Sequence, residues 1–382
     1  MKKAFSWSVP MCALAIGLAL AVPGTTATAA VARPASQTAY TTFSGRLYSV
    51  AAVSARDIWA VGLHPDSSLI VHWDGSTWSQ SLAGPGYFEG VAASSARDVW
   101  AVGGTNWFSP TQTFAEHWNG SSWTQVRTPS PPGGGYLNAV AATSPQNAWA
   151  VGLAGPGPGV PSPTTPLIVH WDGKHWTIQK YQVPAQGGQF AGVAATSPWN
   201  AWAVGWTGPS SEGTGQQALI EHWNGNTWTR VPTPSVPGSS ASYLHAVTVV
   251  SSDNAWAVGN ATIGGYSKTL AMYWDGEHWT VLPSPTPLGD GGFTGVAASW
   301  THNIWAVGIS SQTPSGPHYQ TLIEHWNSIR KRWTVIPSPN PPSNYLNDLW
   351  SVSAVSRSDI WAVGTTDYAS TLIVHWNGTS WS

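Results

Sequence analysis

The chain has 382 residues, of which only 8% are charged, and a formal net charge of −2. So few basic residues leave no stripe to follow a phosphate backbone, which excludes nucleic acid as a partner class. The single cysteine, Cys12, lies in the first apolar run, so the rest of the chain has no thiol and no disulfide.

Residues 1–29 read as a secretory signal peptide. Lys2 and Lys3 open it, an apolar run follows from Met11 to Val22, and Ala27-Thr28-Ala29 offers a small-residue cleavage site. That run is too short for a membrane span, and no later one approaches the ~20 apolar residues a span needs. A secreted, extracellular mature chain is the expectation. Residues 30–45, rich in Ala, Thr and Ser, read as a linker, with a strand over 39–45 expected to close the fold that occupies 46–382.

From residue 46 the chain repeats. Trp-Ala-Val-Gly begins at Trp59 and returns without substitution at Trp100, Trp149, Trp202, Trp256, Trp305 and Trp361. A period of 41 to 56 residues marks a repeat architecture. Two residues before each of these tryptophans stands an Asp or an Asn, from Asp57 to Asp359. A second block, "LIVHWDGSTW" in the first copy, adds two more tryptophans to each unit, as at Trp73 and Trp78. Most of the 27 tryptophans therefore belong to the architecture.

Each unit holds four short strands, which in the first copy are Leu47 to Ala52, Asp57 to Gly62, Leu69 to Trp73 and one starting at Trp78. Aromatic and β-branched residues bounded by Gly, Pro, Asn and Asp support strands throughout. Asp-Gly or Asn-Gly joins the third strand to the fourth in six copies and signals a tight hairpin; the sixth has Asn327-Ser328 and two extra residues. The units divide at about 46–83, 84–132, 133–185, 186–238, 239–287, 288–342 and 343–382. Seven units, each unable to bury its own faces, predict an all-β fold: a seven-bladed β-propeller with four antiparallel strands per blade.

The "DIWAVG" block resembles the strand of bacterial neuraminidase-repeat and photosystem-assembly propellers, which carry a similar Gly-Trp-Ala-Val-Gly. The "HWDGSTW" hairpin is similar to their Asp-box, one residue shorter and without its Ser/Thr-x-Asp start. It also resembles the hairpin of bacterial seven-bladed lectins that bind fucose. At the level of the repeat the resemblance spans Leu47 to Trp381. It implies the propeller and leaves the activity open, because this architecture hosts lectins, lyases, hydrolases and assembly factors.

The repeated histidines, from His72 to His375, are spaced by whole blades and cannot converge on one metal; Tyr273 in the same slot marks a structural role. The Asp/Asn position wants a side-chain oxygen to cap a turn, since a catalytic carboxylate could not be replaced by Asn. Function is sought where the repeats differ. The links from second to third strand and from blade to blade share one face and vary, whereas the opposite face is nearly uniform. On the variable face, the positions flanking the first apolar residue of each innermost strand should crowd the mouth of a central channel. The candidate ligand contacts there are Tyr48, Tyr87, Glu89, Tyr136, Asn138, Tyr243, His245 and Trp350, with Trp107 and Trp206 on adjoining loops. An exposed rim of aromatic and polar groups would suit sugar rings.

No catalytic residue, metal ligand or cofactor site is assigned. The expectation is a secreted, monomeric, non-catalytic propeller that binds a glycan or a cell-surface protein. One alternative is a glycoside hydrolase or lyase of sialidase-like type, for which Arg46, Arg127 and Arg230 would have to gather near Glu89, Glu212, Asp290 or Asp348. The other is a protein-interaction scaffold at the cell surface.

Overall fold

The computed structural model describes residues 41–84, 86–106, 111–155, 164–208, 215–312, 318–343 and 346–382. Among the described residues there are 27 strands, β1 to β27 in chain order, and no helix. The first blade is an antiparallel sheet of β1 (Arg46–Ser54), β2 (Asp57–His64), β3 (Ser67–Trp73) and β4 (Trp78–Leu82), in that order. Five more four-stranded blades repeat it, with innermost strands β5 (Tyr87–Ser95), β9 (Gly135–Ser144), β13 (Gly188–Ser197), β17 (Ser239–Ser251) and β21 (Asp290–Trp300). The seventh consists of β25 (Asn347–Ser356), β26 (Asp359–Thr366) and β27 (Ser370–Trp376). Each innermost strand packs on the next, and β1 meets β25, so the ring is closed. The chain is an all-β, seven-bladed propeller.

The outer edge of β27 is covered from both ends of the chain. Ser382 exchanges backbone hydrogen bonds of 2.9 and 3.0 Å with His375, and Trp381 bridges to Trp376. Farther along, the Thr371 amide donates to the Phe43 carbonyl at 2.9 Å, the Phe43 amide donates to Thr371 Oγ1 at 2.8 Å, and the Gly45 amide donates to the Ala369 carbonyl at 2.9 Å. The fourth-strand place is thus shared by residues 43–45 and 381–382.

The Trp-Ala-Val-Gly strand is buried because it lies between two blades. Its tryptophans are between 0 and 7% exposed. The Trp59 ring stacks on His72 of its own blade at 3.8 Å and meets Trp118 and Trp123 of the next blade at 5.1 and 5.3 Å. The same wedge recurs at every junction, and Trp361 closes the circle against Trp73 and Trp78 at 5.7 and 5.5 Å. The repeated tryptophans therefore join blades, each wedge burying a large apolar area with ring pairs in favourable tilted geometry.

The repeated His and Asp/Asn form a second, polar join. His72 Nε2 lies 2.8 Å from Asp57 Oδ1, and the same pairing links His117 to Asp98, His170 to Asn147, His222 to Asn200, His325 to Asn303 and His375 to Asp359. The Asp/Asn oxygen thus takes the histidine as partner, not the turn backbone the sequence suggested. Asp and Asn interchange because both supply Oδ1. Where the partner is Asn, burial pushes the imidazole pKa down, which keeps His170, His222 and His325 neutral. In the fifth blade Tyr273 replaces His, and Asn254 accepts instead from the Trp256 indole at 3.0 Å.

The motif's glycine has its own task. A Cβ on Gly62 would overlap the carbonyl oxygen of Arg46, and the equivalent overlap arises at Gly103, Gly152, Gly205, Gly259, Gly308 and Gly364. This close approach coincides with a β-bulge in every innermost strand, as where Leu47 pairs with Gly62 but Ser49 with Val61. This bulge leaves one residue near the start of each innermost strand out of the ladder, and a second register shift follows near the strand's other end, as between Ala52 and Ser54.

Candidate functional site

The seven bulged residues are Tyr48, Glu89, Asn138, Ala191, His245, Thr294 and Trp350. Each sits near the start of an innermost strand, whose free edge faces the axis of the ring. The invariant glycine fixes the position, and nothing in the ladder fixes the side chain. Seven different residue types can therefore occupy one circle without disturbing the blades behind them.

Several of these side chains reach the neighbouring blade. Tyr48 and Trp350 meet edge to face at 5.8 Å across the first and seventh blades. Asn138 Nδ2 donates to the Phe190 carbonyl at 2.6 Å, and Thr294 Oγ1 donates to the Leu349 carbonyl at 2.6 Å. His245 Nε2 lies 2.7 Å from Asn260 Oδ1, and Gly292 of the next blade leaves the space beside Asn260 that a Cβ would fill. Burial pushes the His245 pKa down, partly offset by the Asn260 contact.

The position before each apolar anchor pairs with the end of the second strand and forms the wall of the mouth. Tyr87 is fully buried, Tyr48 is 7% exposed and Tyr243 is 9% exposed. The exposed aromatic rim expected from the sequence is not what these three form. Tyr87 lies over Gly104, where a Cβ would come 2.8 Å from its hydroxyl, and its ring meets Tyr136 at 6.3 Å. Tyr243 packs edge-on against Trp206 at 5.3 Å. Rings this large on neighbouring strands bury one another before they can present a face to a ligand. Tyr136, Trp206 and Trp350 keep part of their surface open. Trp206 also meets His245 at 5.6 Å, so the second-to-third-strand side of blade 4 does reach the mouth. Trp107 lies outside the described residues, as does Glu212.

Two charged groups complete the mouth. Arg46 Nε donates to the Tyr368 carbonyl at 3.0 Å, and its guanidinium lies 5.2 Å above the Tyr368 ring. Asp348 is buried and accepts the Thr365 amide at 2.7 Å; burial lifts its pKa to about 7 against the pull of that amide, the Trp350 indole and Arg46. Glu89 is lifted to about 8 by burial alone. The hydroxyls of Tyr48, Tyr87 and Tyr136 are pushed up chiefly by burial and further by the charge of Glu89. The sequence contained a signal for Asn260: it is polar where the matching residues of blades 1, 3 and 6 are Leu63, Leu153 and Ile309.

No protein family matches the chain, and no curated protein matches it in sequence. Among solved structures the chain is similar to one titled "YCF48 bound to D1 peptide", at 16% identity and a TM-score of 0.54 over 87% of this chain and 94% of that one. It is likewise similar to YCF48 from Cyanidioschyzon merolae, at 16% identity and a TM-score of 0.52 over 86% and 95% of the two chains. At that identity the likeness shows the fold alone, which agrees with the photosystem-assembly type of propeller named above. Both neighbours match over nearly the whole propeller.

The arginines needed for a sialidase-like site do not gather. Arg46 is at the mouth, whereas Arg230 ends β16 (Trp228–Arg230), an outermost strand, and pairs with buried Glu221 at 3.2 Å. Arg127 follows β8 (Trp123–Gln125), the outermost strand of another blade. Among the described residues no group of three or more His, Cys, Asp or Glu side chains could hold a metal ion, and no helix is long and apolar enough to cross a membrane.

Proposed function

We propose that this chain is a secreted, non-catalytic binding protein that holds a segment of a partner protein at the channel mouth on the variable face. The observation that carries the reading is the circle of bulges. The bulge opposite the motif glycine releases a side chain from the ladder at the channel end of every innermost strand, and that side chain differs in each blade. A segment of extended chain fits such a mouth, because it offers side chains and peptide groups to several blades at once. The solved neighbour bound to a peptide supports this reading. Secretion rests on the pattern of residues 1–29.

A glycan is the second reading. It is favoured by Trp206, whose partly open ring stands beside Tyr243 and His245, an aromatic face with a polar neighbour. A peptide array and a glycan array probed with residues 30–382 separate the two. Peptide hits that disappear in His245→Ala and Trp350→Leu but persist in Arg97→Ala, on the opposite face, support the first reading. Sugar hits lost in Trp206→Ala support the second. Hits insensitive to all three mouth variants overturn both. Export is checked separately by sequencing the N-terminus of protein recovered outside the producing cells, which should begin at Ala30.

A further inference from the structure

We infer that the channel mouth contains a subsite for a cationic side chain, an arginine or lysine of a bound polypeptide, seated against Glu89 among the tyrosines of the first three blades. This rests on the mouth being the binding site and names the chemistry it selects.

Glu89 sits at the bulge near the start of β5, so its side chain is free of the ladder and partly open to the channel. Among the described residues no donor bonds its carboxyl, which burial lifts to about 8. Tyr87 stands two residues earlier on the same strand, its ring 6.3 Å from that of Tyr136, and Tyr136 and Tyr48 lie on β9 and β1, the innermost strands packed on either side of β5. The other charges of the mouth are spoken for. Arg46 is bound to the Tyr368 carbonyl and ring, and Asp348 has the Thr365 amide and the Trp350 indole.

A half-desolvated carboxyl without a donor is the group that gains most from an incoming positive charge. The part of the Tyr136 ring that stays open adds to that gain, since an aromatic quadrupole attracts a cation where water is thinned. A neutral group would leave the carboxyl protonated and the charge preference unused.

The proton must balance. At pH 7 Glu89 holds its proton; a cation seated beside it lowers its pKa, and the proton leaves to solvent as the complex forms. Isothermal titration calorimetry with acetyl-Gly-Arg-Gly-amide, repeated in buffers of different ionisation enthalpy, reads both affinity and proton release. The citrulline peptide is the control, equal in shape and neutral. The arginine peptide should bind at least about tenfold more tightly than the citrulline peptide and release about one proton. Glu89→Gln, an amide of the same size as the protonated acid, should keep the melting temperature and lose both the preference and the proton. Tyr136→Leu, which leaves Glu89 in place, should weaken the arginine peptide about threefold or more. Equal affinity for the two peptides overturns the cation subsite while leaving a neutral-binding mouth intact. An arginine preference that survives Glu89→Gln, or no binding of either peptide, also overturns it.

Discussion

Glu324 offers the most exact test of the packing described above. It lies on β23 (Gln320–Asn327) at the junction of the fifth and sixth blades, is fully buried, and has no hydrogen-bond partner for either carboxylate oxygen among the described residues. Val71, Val169, Met272 and Val374 occupy the same place in other blades, each the residue before the motif His or Tyr. Burial lifts Glu324 to about 8, from an ordinary value of 4.5. Between those two values the unfolded chain gives up its proton and the folded chain keeps it. Stability therefore falls as pH rises from about 4.5 to about 8, and levels off above. At pH 7 the loss is about 2.5 pH units at 1.36 kcal/mol each, or about 3 kcal/mol. Glu324→Met, which keeps the volume and drops the carboxyl, should recover about that amount at pH 7 and much less at pH 4.5. Urea midpoints measured at pH 4.5, 6, 7 and 8.5 for both proteins give the comparison directly. Parallel curves, or a Met variant weaker at pH 8.5 than the native chain, would show that Glu324 is solvated or paired and that the blade junction is packed differently.

Three further expectations follow from the same structure. Glu221 is held in place by Arg230, the residue paired with it across the ladder, whereas Glu324 faces Val335; Val335→Arg should supply the missing cation and raise stability at pH 8 by about 1 kcal/mol, measured by urea titration. Trp305→Ala removes a ring 3% exposed that touches His325, Trp376 and Trp381, and should cost about 3–5 kcal/mol in chemical denaturation; an unchanged midpoint contradicts the wedge. Gly308→Ala places a methyl on the Gly292 carbonyl and should cost at least about 3 kcal/mol or abolish soluble protein, while Ala191→Ser, at a bulge, should leave the melting temperature within a few degrees.

The ring could be read from the chain because its architecture is written in repeated letters. Trp-Ala-Val-Gly, the Asp-Gly hairpin and the His slot recur for reasons that act within one or two blades, so each copy carries the whole signal. The mouth was harder. Its positions stand out by their variability, but variability says nothing of exposure, and the place of Tyr87 varies between blades while Tyr87 itself is fully buried. The bulge could not be seen either, since it depends on a glycine in one strand making room for the carbonyl of another. Glu116, Glu221 and Glu324 share their place with Val in three other blades and Met in one, and only the packed interface reveals that a carboxyl there is out of water. The interchange of Asn303 and Asp359 marks them as structural, yet their partner, the histidine on the adjacent strand, follows only from the register.

The shared edge of β27 sets a timetable for the ring. Phe43 and Thr371 are 328 positions apart, and at the usual 5–20 residues per second of synthesis the second emerges roughly 15–65 s after the first. For most of that interval the first blade stands complete except on one side. Trp73 and Trp78, which await Trp361, are bare, as is the edge of β1 that awaits β25. Growth from the first blade to the seventh is local and quick, whereas the last junction is a contact between the most distant parts of the chain. A nascent chain of six blades is therefore a crescent with two sticky tips, and until the seventh arrives its main hazard is the tip of another crescent.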